Sequence, residues 1–300
     1  MKRLLFLIII IILTITTLFL VVVRPASSFS LKTFPAKACI LIDDNGTILF
    51  QKHPKTRLPS ASTVKLMTAM VALDHLSSEM VVRVDERAAE ARSVQPRLLA
   101  GDDLTVLDLL HLALIKSNNS AAVALAEAAS GSEDRFVELM NQKAQEIGAV
   151  DTYFTNASGL PKGRQYTTVC DLTIILKKAL TYPLIKGIIG KKEYLIRTSL
   201  GRELFLENTD DLLWLGNNIV GGKTGFTRRA RHCFVGAMDT EHGRMFTAVL
   251  GAPSRSGLWK SVIMLTEFGT NSQQVDSAKE YLTSKPTNGF MRDAVVELTQ

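Results

Sequence analysis

The sequence predicts an α+β fold: an antiparallel sheet flanked by helices, with a separate helical lobe. Two observations carry the prediction. β-rich runs stand near both ends of the patterned chain, Ala38 to Asp43 with Thr47 to Gln51, and Cys233 to Met238 with Arg244 to Leu250. Each pair reads as a hairpin, one over Asp44-Asn45-Gly46 and the other over Thr240-Glu241-His242-Gly243. Between them the apolar periodicity is mostly helical, and strands segregated from helices in this way make a sheet and a lobe.

The chain begins with a basic tip, Met1-Lys2-Arg3, followed by an uncharged stretch from Leu4 to Val23. As a helix that stretch reaches ~30 Å, enough to cross a bilayer core. Lys2 and Arg3 would stay inside and place the rest outside the cytoplasm. Arg24-Pro25-Ala26-Ser27-Ser28 offers small residues to a signal peptidase. The apolar run exceeds the ~7–15 residues usual in a signal peptide, which favours a retained membrane anchor. Residues 1–28 are therefore read as a signal peptide or N-terminal membrane anchor, 29–272 as one catalytic domain, and 273–300 as a short, weakly patterned tail.

Composition bounds the rest. The chain has 300 residues, 46% hydrophobic and 21% charged, which excludes global disorder. The net charge of +6 fits a mildly basic surface. No basic run interleaved with aromatics appears, so nucleic acid is not expected as a partner. Three cysteines, Cys39, Cys170 and Cys233, with no C-x-x-C, argue against a disulfide framework or a zinc site.

Taken in order, Pro59 ends the segment after the first hairpin, and Ser60 or Ser62 is placed to cap a helix that is apolar on nearly every side through Leu66, Met67, Met70 and Val71. Glu79 to Val84 reads as a short strand and Ala88 to Leu99 as irregular. Gly101-Asp102-Asp103 reads as a turn. Thr105 caps a helix over Val106 to Lys116, with Asp108 at the capping-box position. Ser117-Asn118-Asn119-Ser120 breaks it. Helices follow at Ala121 to Ala129, stopped by Gly131, and at Glu133 to Ile147. Phe154 to Gly163 is a loop and Thr168 to Leu180 a helix. Glu193 to Arg197 and Glu203 to Leu206 are strands, and Leu258 to Phe268 is the final helix.

Three polar elements interrupt these apolar surroundings. The first is Ser62 with Lys65, three apart and so on one face of a helix. Burial lowers a lysine's pKa, and a neutral amine beside a serine hydroxyl is what a general base for a nucleophile requires. The second is Ser117-Asn118-Asn119, and the third Lys223-Thr224-Gly225. Alone, each has an ordinary explanation: a capping serine with a snorkelling lysine, helix capping, and a turn before a strand. Together, in this order, they correspond to the S-x-x-K, S-x-N and K-T-G boxes shared by class A β-lactamases and penicillin-binding proteins.

The resemblance extends over roughly residues 36 to 270, through Leu41-Ile42-Asp43, Pro59 to Met70, Gly101 to Ala129, Phe154 to Pro161, Tyr166-Thr167-Thr168, Val220 to Thr227 and Leu250 to Arg255. The chain resembles the low-molecular-mass penicillin-binding proteins that act as serine-type D-Ala-D-Ala carboxypeptidases. That resemblance implies a β-lactamase/transpeptidase-like fold, peptidoglycan stem peptides as substrate, β-lactam antibiotics as inhibitors, no cofactor and no metal. It implies Ser62 as nucleophile, Lys65 as base, Ser117 as proton relay and Asn119 as orienting residue. Lys223 and Thr224 would hold the terminal carboxylate, Lys223 as a cation at a strand edge open to substrate. Gly225 would let substrate approach that edge, and the N–H groups of Ser62 and Phe226 would form the oxyanion hole.

Some features depart from the family. Ala230 is followed by Arg231 where a small Ala-Gly pair is usual, and Arg228, Arg229 and Arg231 add charge near the cleft mouth. His111, His232 and His242 match no family site; the first two are read as structural and the third as a turn residue. Three rival functions remain. A class A β-lactamase needs a glutamate after the second box, and Ala149 to Pro161 has only Asp151. A DD-endopeptidase would use the same boxes. A non-catalytic wall-binding or sensor protein would not need them intact.

Overall fold

The computed structural model describes residues 34–241 and 243–269. The apolar run 4–23, residues 24–28, His242 and the tail 273–300 lie outside the described residues, and so does the expected anchor. Among the described residues no helix is long and apolar enough to cross a membrane.

Strands β1 (Ala38–Asp43) and β2 (Ile48–Lys52) form the first hairpin, with Gly46 at φ 88° in its turn. A 3-10 turn, Ala61–Val64, runs into α1 (Lys65–His75). Strand β3 (Val81–Arg83) is followed by α2 (Glu86–Glu90), and pairs with β4 (Asp103–Thr105). Then come α3 (Val106–Leu114), α4 (Asn119–Ser130), α5 (Glu133–Glu146), α6 (Val169–Ala179) and α7 (Pro183–Ile189). A small hairpin, β5 (Glu193–Arg197) with β6 (Glu203–Glu207), leads through a 3-10 turn, Asp211–Trp214, to β7 (Ile219–Thr227), β8 (Arg231–Thr240) and β9 (Gly243–Ala252). Helix α8 (Arg255–Gly269) is the last described element.

Local chemistry explains most boundaries. The Thr105 hydroxyl accepts the Asp108 N–H at 3.0 Å and the Asp108 carboxylate receives the Thr105 N–H, the capping box the sequence predicts. Side chains of Asn118, Ser132 and Thr168 cap α4, α5 and α6 in the same way. Gly131, at φ 81°, ends α4 in the left-handed conformation that glycine adopts without penalty. Helices α2 and α7 are absent from the sequence reading because runs so short carry no readable period.

The central sheet is antiparallel in the order β2-β1-β9-β8-β7, so β7, which carries Lys223-Thr224-Gly225, is an edge strand. Successive residues of β1, β8 and β9 are buried, which requires cover on both faces; α6 and α8 pack there. Helix α1 packs against α3, α4, α5, α6 and α7, with Leu66, Met67 and Met70 fully buried. That central place explains why its sequence has no polar face. The 3-10 turn before it packs against β7 and β8 instead. Ser62 therefore stands where the helical lobe meets the sheet.

Two substitutions separate core from cap. Phe136, fully buried in α5, should cost ~3–5 kcal/mol when changed to Ala. Thr105→Ala should cost only ~1 kcal/mol, the worth of one cap. Urea unfolding of both variants checks the ranking, and equal losses would contradict this account of the lobe.

Candidate active site

The chain enters the site through unusual backbone. Ser62 lies in the 3-10 turn, and α1 itself begins only at Lys65. The expected capping by Ser60 or Ser62 is not made. The Thr63 hydroxyl instead donates to the Ser60 carbonyl at 2.7 Å, and the Ser60 hydroxyl has no partner among the described residues. Ala61 holds φ 47°, a left-handed conformation that costs a residue with a Cβ about 1–2 kcal/mol. Two glycines close on this peptide. A Cβ on Gly159 would lie 2.1 Å from the Ala61 carbonyl oxygen, and one on Gly225 would lie 2.9 Å from the Ser62 nitrogen. The loop and the edge strand thus clamp the residue before the serine, and only glycine permits either approach.

Lys65 is fully buried. Its amine stands 3.1 Å from the Ser62 hydroxyl and donates to Asn119 Oδ1 and to the Ser158 carbonyl, each at 2.6 Å. The last two partners can only accept. A neutral amine has two N–H groups for them, and its lone pair is left for the Ser62 hydroxyl. Burial holds the Lys65 pKa well below the ordinary lysine value, and the positive charge of Lys223 pushes it the same way.

Of the second box, Asn119 bonds Lys65, and the box's residues differ in what they do. Asn118 is the cap of α4, accepting the Ala121 N–H at 2.9 Å. Ser117 and Asn119 are thereby freed from capping. Asn119 Nδ2 donates to the Arg92 carbonyl at 2.5 Å, which fixes the amide so that its oxygen faces Lys65. Ser117, two residues earlier, sits at φ 63°. Left-handed backbone thus occurs at Ser117 in the second box and at Ala61 beside the first, and such outliers persist only where their surroundings hold them.

The third box corrects an expectation. Lys223 is fully buried, not open at the strand edge, and its amine donates to the Thr224 carbonyl at 3.1 Å. Burial pulls its pKa down to about 7, against the opposing pull of the Asp210 carboxylate. The Thr224 hydroxyl donates to the Thr209 hydroxyl at 2.6 Å. Phe226 is exposed and packs on His232, with ring centroids 4.4 Å apart.

A cleft of about 610 Å³ opens onto Asn119, lined also by Arg92, Leu160, Phe226, Thr227 and Arg228. The three arginines after the third box divide here. Arg228 lines the cleft, Arg229 reaches the Gly163 carbonyl at 3.4 Å, and Arg231 reaches the Pro253 carbonyl at 2.6 Å. Arg231 holds φ 62°, which explains why a glycine is usual there. His111 is buried, bonds the Leu107 carbonyl at 2.8 Å and stacks on Tyr194, so it is structural as expected.

Residues 156–161 do more than the sequence reading gave them. Asn156 Oδ1 accepts the Gly159 N–H at 2.7 Å, the Ala157 carbonyl accepts the Thr68 hydroxyl at 2.7 Å, and the Ala157 N–H donates to Glu133 at 3.0 Å. This network fixes the Ser158 carbonyl that receives Lys65. Thr209 and Asp210, behind Thr224 and Lys223, also escaped notice, because Asn208-Thr209-Asp210-Asp211 reads as any polar turn.

Comparison with known proteins gives the family and the fold. Residues 25–254 match the family model described as D-alanyl-D-alanine carboxypeptidase, peptidase S11. The chain is 34% identical to the D-alanyl-D-alanine carboxypeptidase DacF of Bacillus subtilis over 72% of its own length and 57% of that protein's. It is also 34% identical to the D-alanyl-D-alanine carboxypeptidase DacB2 of Mycobacterium tuberculosis, over 82% and 86% of the two lengths. A crystal structure of a D-alanyl-D-alanine carboxypeptidase from Mycobacterium tuberculosis superposes with a TM-score of 0.76 at 32% identity, covering 84% of this chain and 97% of that one.

The glycine clamp is open to test. Gly159→Ala should displace the Ala61–Ser62 peptide and slow labelling of Ser62 by a fluorescent penicillin at least about tenfold, since misplacements near 1 Å can cost more than that. Gly225→Ala, with its nearest clash at 2.9 Å, should perturb stability less than Gly159→Ala. Wild-type labelling by Gly159→Ala would contradict the clamp.

Proposed function

The chain belongs to the D-alanyl-D-alanine carboxypeptidase family, and on that premise we propose that it removes the terminal D-Ala from peptidoglycan stem peptides through an acyl-enzyme on Ser62. The observation that carries this reading is the Lys65 amine, held by two pure acceptors and turned toward the Ser62 hydroxyl. Ser62 Oγ attacks the penultimate D-Ala carbonyl while its proton passes to the Lys65 lone pair. The tetrahedral oxyanion is received by the N–H groups of Ser62 and Phe226. As the C–N bond breaks, the proton returns through Ser117 to the departing D-Ala amine. Water then hydrolyses the acyl ester, with Lys65 again as base. Lys223 and Thr224 hold the terminal carboxylate, and Gly225 lets the peptide lie along the β7 edge.

Penicillin presents an acyl group and a carboxylate at the same two places, so it acylates Ser62 as an inhibitor. Rapid hydrolysis of the antibiotic is not expected. Asp151, the one acid of 149–161, pairs with Arg57 at 2.6 Å. As in the rest of this cell-wall family, the domain works outside the cytoplasm. The apolar run 4–23 is suited to tether it to the membrane, with 29–272 as the catalytic domain and 273–300 as a tail.

The two lysines set opposite limits on pH. Acylation needs Lys65 neutral, so its rate falls as pH drops through the lowered Lys65 pKa. Carboxylate recognition needs Lys223 charged, so kcat/KM falls as pH rises above about 7. The profile on a D-Ala-D-Ala pentapeptide should therefore be bell-shaped. Lys65→Arg should abolish acylation, because guanidinium does not release its proton at working pH. Lys223→Arg should retain partial activity and lose the alkaline limb. Penicillin labelling of Lys65→Arg at the wild-type rate would exclude Lys65 as the base, and faster cutting of cross-linked muropeptide than of pentapeptide would favour an endopeptidase.

Protease treatment of spheroplasts tests the location. The domain should be digested while cytoplasmic markers survive, and a protected domain would contradict an exported enzyme.

A further inference from the structure

Behind the third box lies a second ionisable group that the mechanism above does not use. Asp210 is fully buried. One carboxylate oxygen accepts the Leu212 N–H at 3.1 Å, and the other has no hydrogen-bond partner among the described residues. An orphaned carboxylate oxygen in a protein interior is costly unless a cation balances it.

The surroundings name that cation. Thr209, next to Asp210, is bonded to Thr224, next to Lys223, at 2.6 Å, so the turn is stapled to β7. The 3-10 turn that Asp210 begins packs directly on β7. Lys223 is as buried as Asp210 and, among the described residues, makes one hydrogen bond, to a carbonyl of its own strand. The other charges acting on the pair come from three places. Asp211, adjacent in the turn, and Arg255, on α8, act on Asp210 but pair with each other at 2.6 Å. Lys65, on α1, repels Lys223. Asp210 is thus the attractive charge that faces Lys223 from the protein.

We propose that Asp210 is a positioning residue for Lys223: its buried carboxylate keeps the Lys223 amine charged in the free enzyme until the terminal carboxylate of a substrate takes over that role. Burial drives each group toward its neutral form and the charge of each opposes that drive in the other, which is the direction found for both. The inference rests on the carboxypeptidase reading above and adds a consequence specific to the free enzyme. Once the substrate carboxylate is bound, it holds Lys223 charged itself. Asp210 should therefore govern kcat/KM, which reports the free enzyme, and leave kcat nearly untouched.

The test uses the purified full chain and Asp210→Asn, which keeps an oxygen for the Leu212 N–H and removes the charge. The alkaline limb of kcat/KM for a D-Ala-D-Ala peptide should move down by at least about one pH unit, so that kcat/KM above the limb falls about tenfold. The change should lie in KM. Acylation by a thioester lacking the terminal carboxylate should stay within about twofold of wild type. An unmoved limb overturns the proposal, as does an equal loss in kcat and in thioester acylation, which would mark a merely structural residue. If Asp210→Asn does not fold, Asp210→Ser, whose hydroxyl can also accept the Leu212 N–H, carries the same expectation. A wild-type protein inert to both substrates overturns the carboxypeptidase reading instead. NMR titration of the Lys223 amine in wild type and variant then still decides the Asp210 claim: a lower Lys223 pKa in the variant supports it and an unchanged one overturns it.

Discussion

A fully buried lysine amine is the constraint on which this structure depends. Burying an ammonium costs far more than burying an amine, so Lys65 sits where neutrality is favoured. Yet an amine still needs partners for its two N–H groups, and Asn119 and the Ser158 carbonyl supply them. Each partner comes from a different part of the chain. The turn before α1 brings the serine, α4 brings the amide, and the 156–161 loop brings the carbonyl. The fold is in this sense an apparatus for surrounding one nitrogen, and of the three atoms it bonds among the described residues the Ser62 hydroxyl oxygen is the one that carries a proton.

The surrounding is done by packing that leaves little latitude. Helix α1 is buried by five other helices, so Lys65 cannot swing toward solvent. The turn carrying Ser62 is pinned between a loop glycine and an edge-strand glycine, with Ala61 held in a conformation it would not choose. Such strain is sustained by the rigid elements on either side and keeps Ser62 in one place. The sheet contributes its edge. Among the described residues β7 has no strand beyond it, and in the proposed mechanism an extended peptide lies along that edge with its charged end at the buried Lys223. In the proposed mechanism two buried lysines divide acid and base roles, which requires surroundings that differ, and the Asp210 carboxylate acts on Lys223.

Much of this was legible in the sequence. The Asn45-Gly46 turn, the Thr105 capping box and Gly131 at a helix end each act locally, and local signals survive in a linear string. The three boxes were legible because each combines residues that apolar surroundings do not otherwise tolerate. The rest is not local. The Ser158 side chain bonds Asn156 and Leu160 within its own loop, but it is the backbone carbonyl that receives Lys65, and no residue type signals a carbonyl's direction. Gly159 reads as a loop glycine until Ala61 is placed against it. Lys223 was expected at an open edge because its glycine neighbours suggested exposure, but burial of an edge strand depends on the turn at 208–211 that folds over it. Asp210 looks like half of an ordinary polar turn until its second oxygen is found without a partner.

The most direct measurement of the central claim is the protonation state of Lys65 in the resting enzyme. NMR of protein labelled at the lysine side-chain nitrogen, assigned through Lys65→Arg, should show at neutral pH one nitrogen at an amine shift while the solvent-exposed lysines remain ammonium. That nitrogen should become an ammonium only as the pH is lowered. A Lys65 signal at the ammonium position throughout the neutral range would contradict the account, since a lysine already protonated has no lone pair for the Ser62 proton.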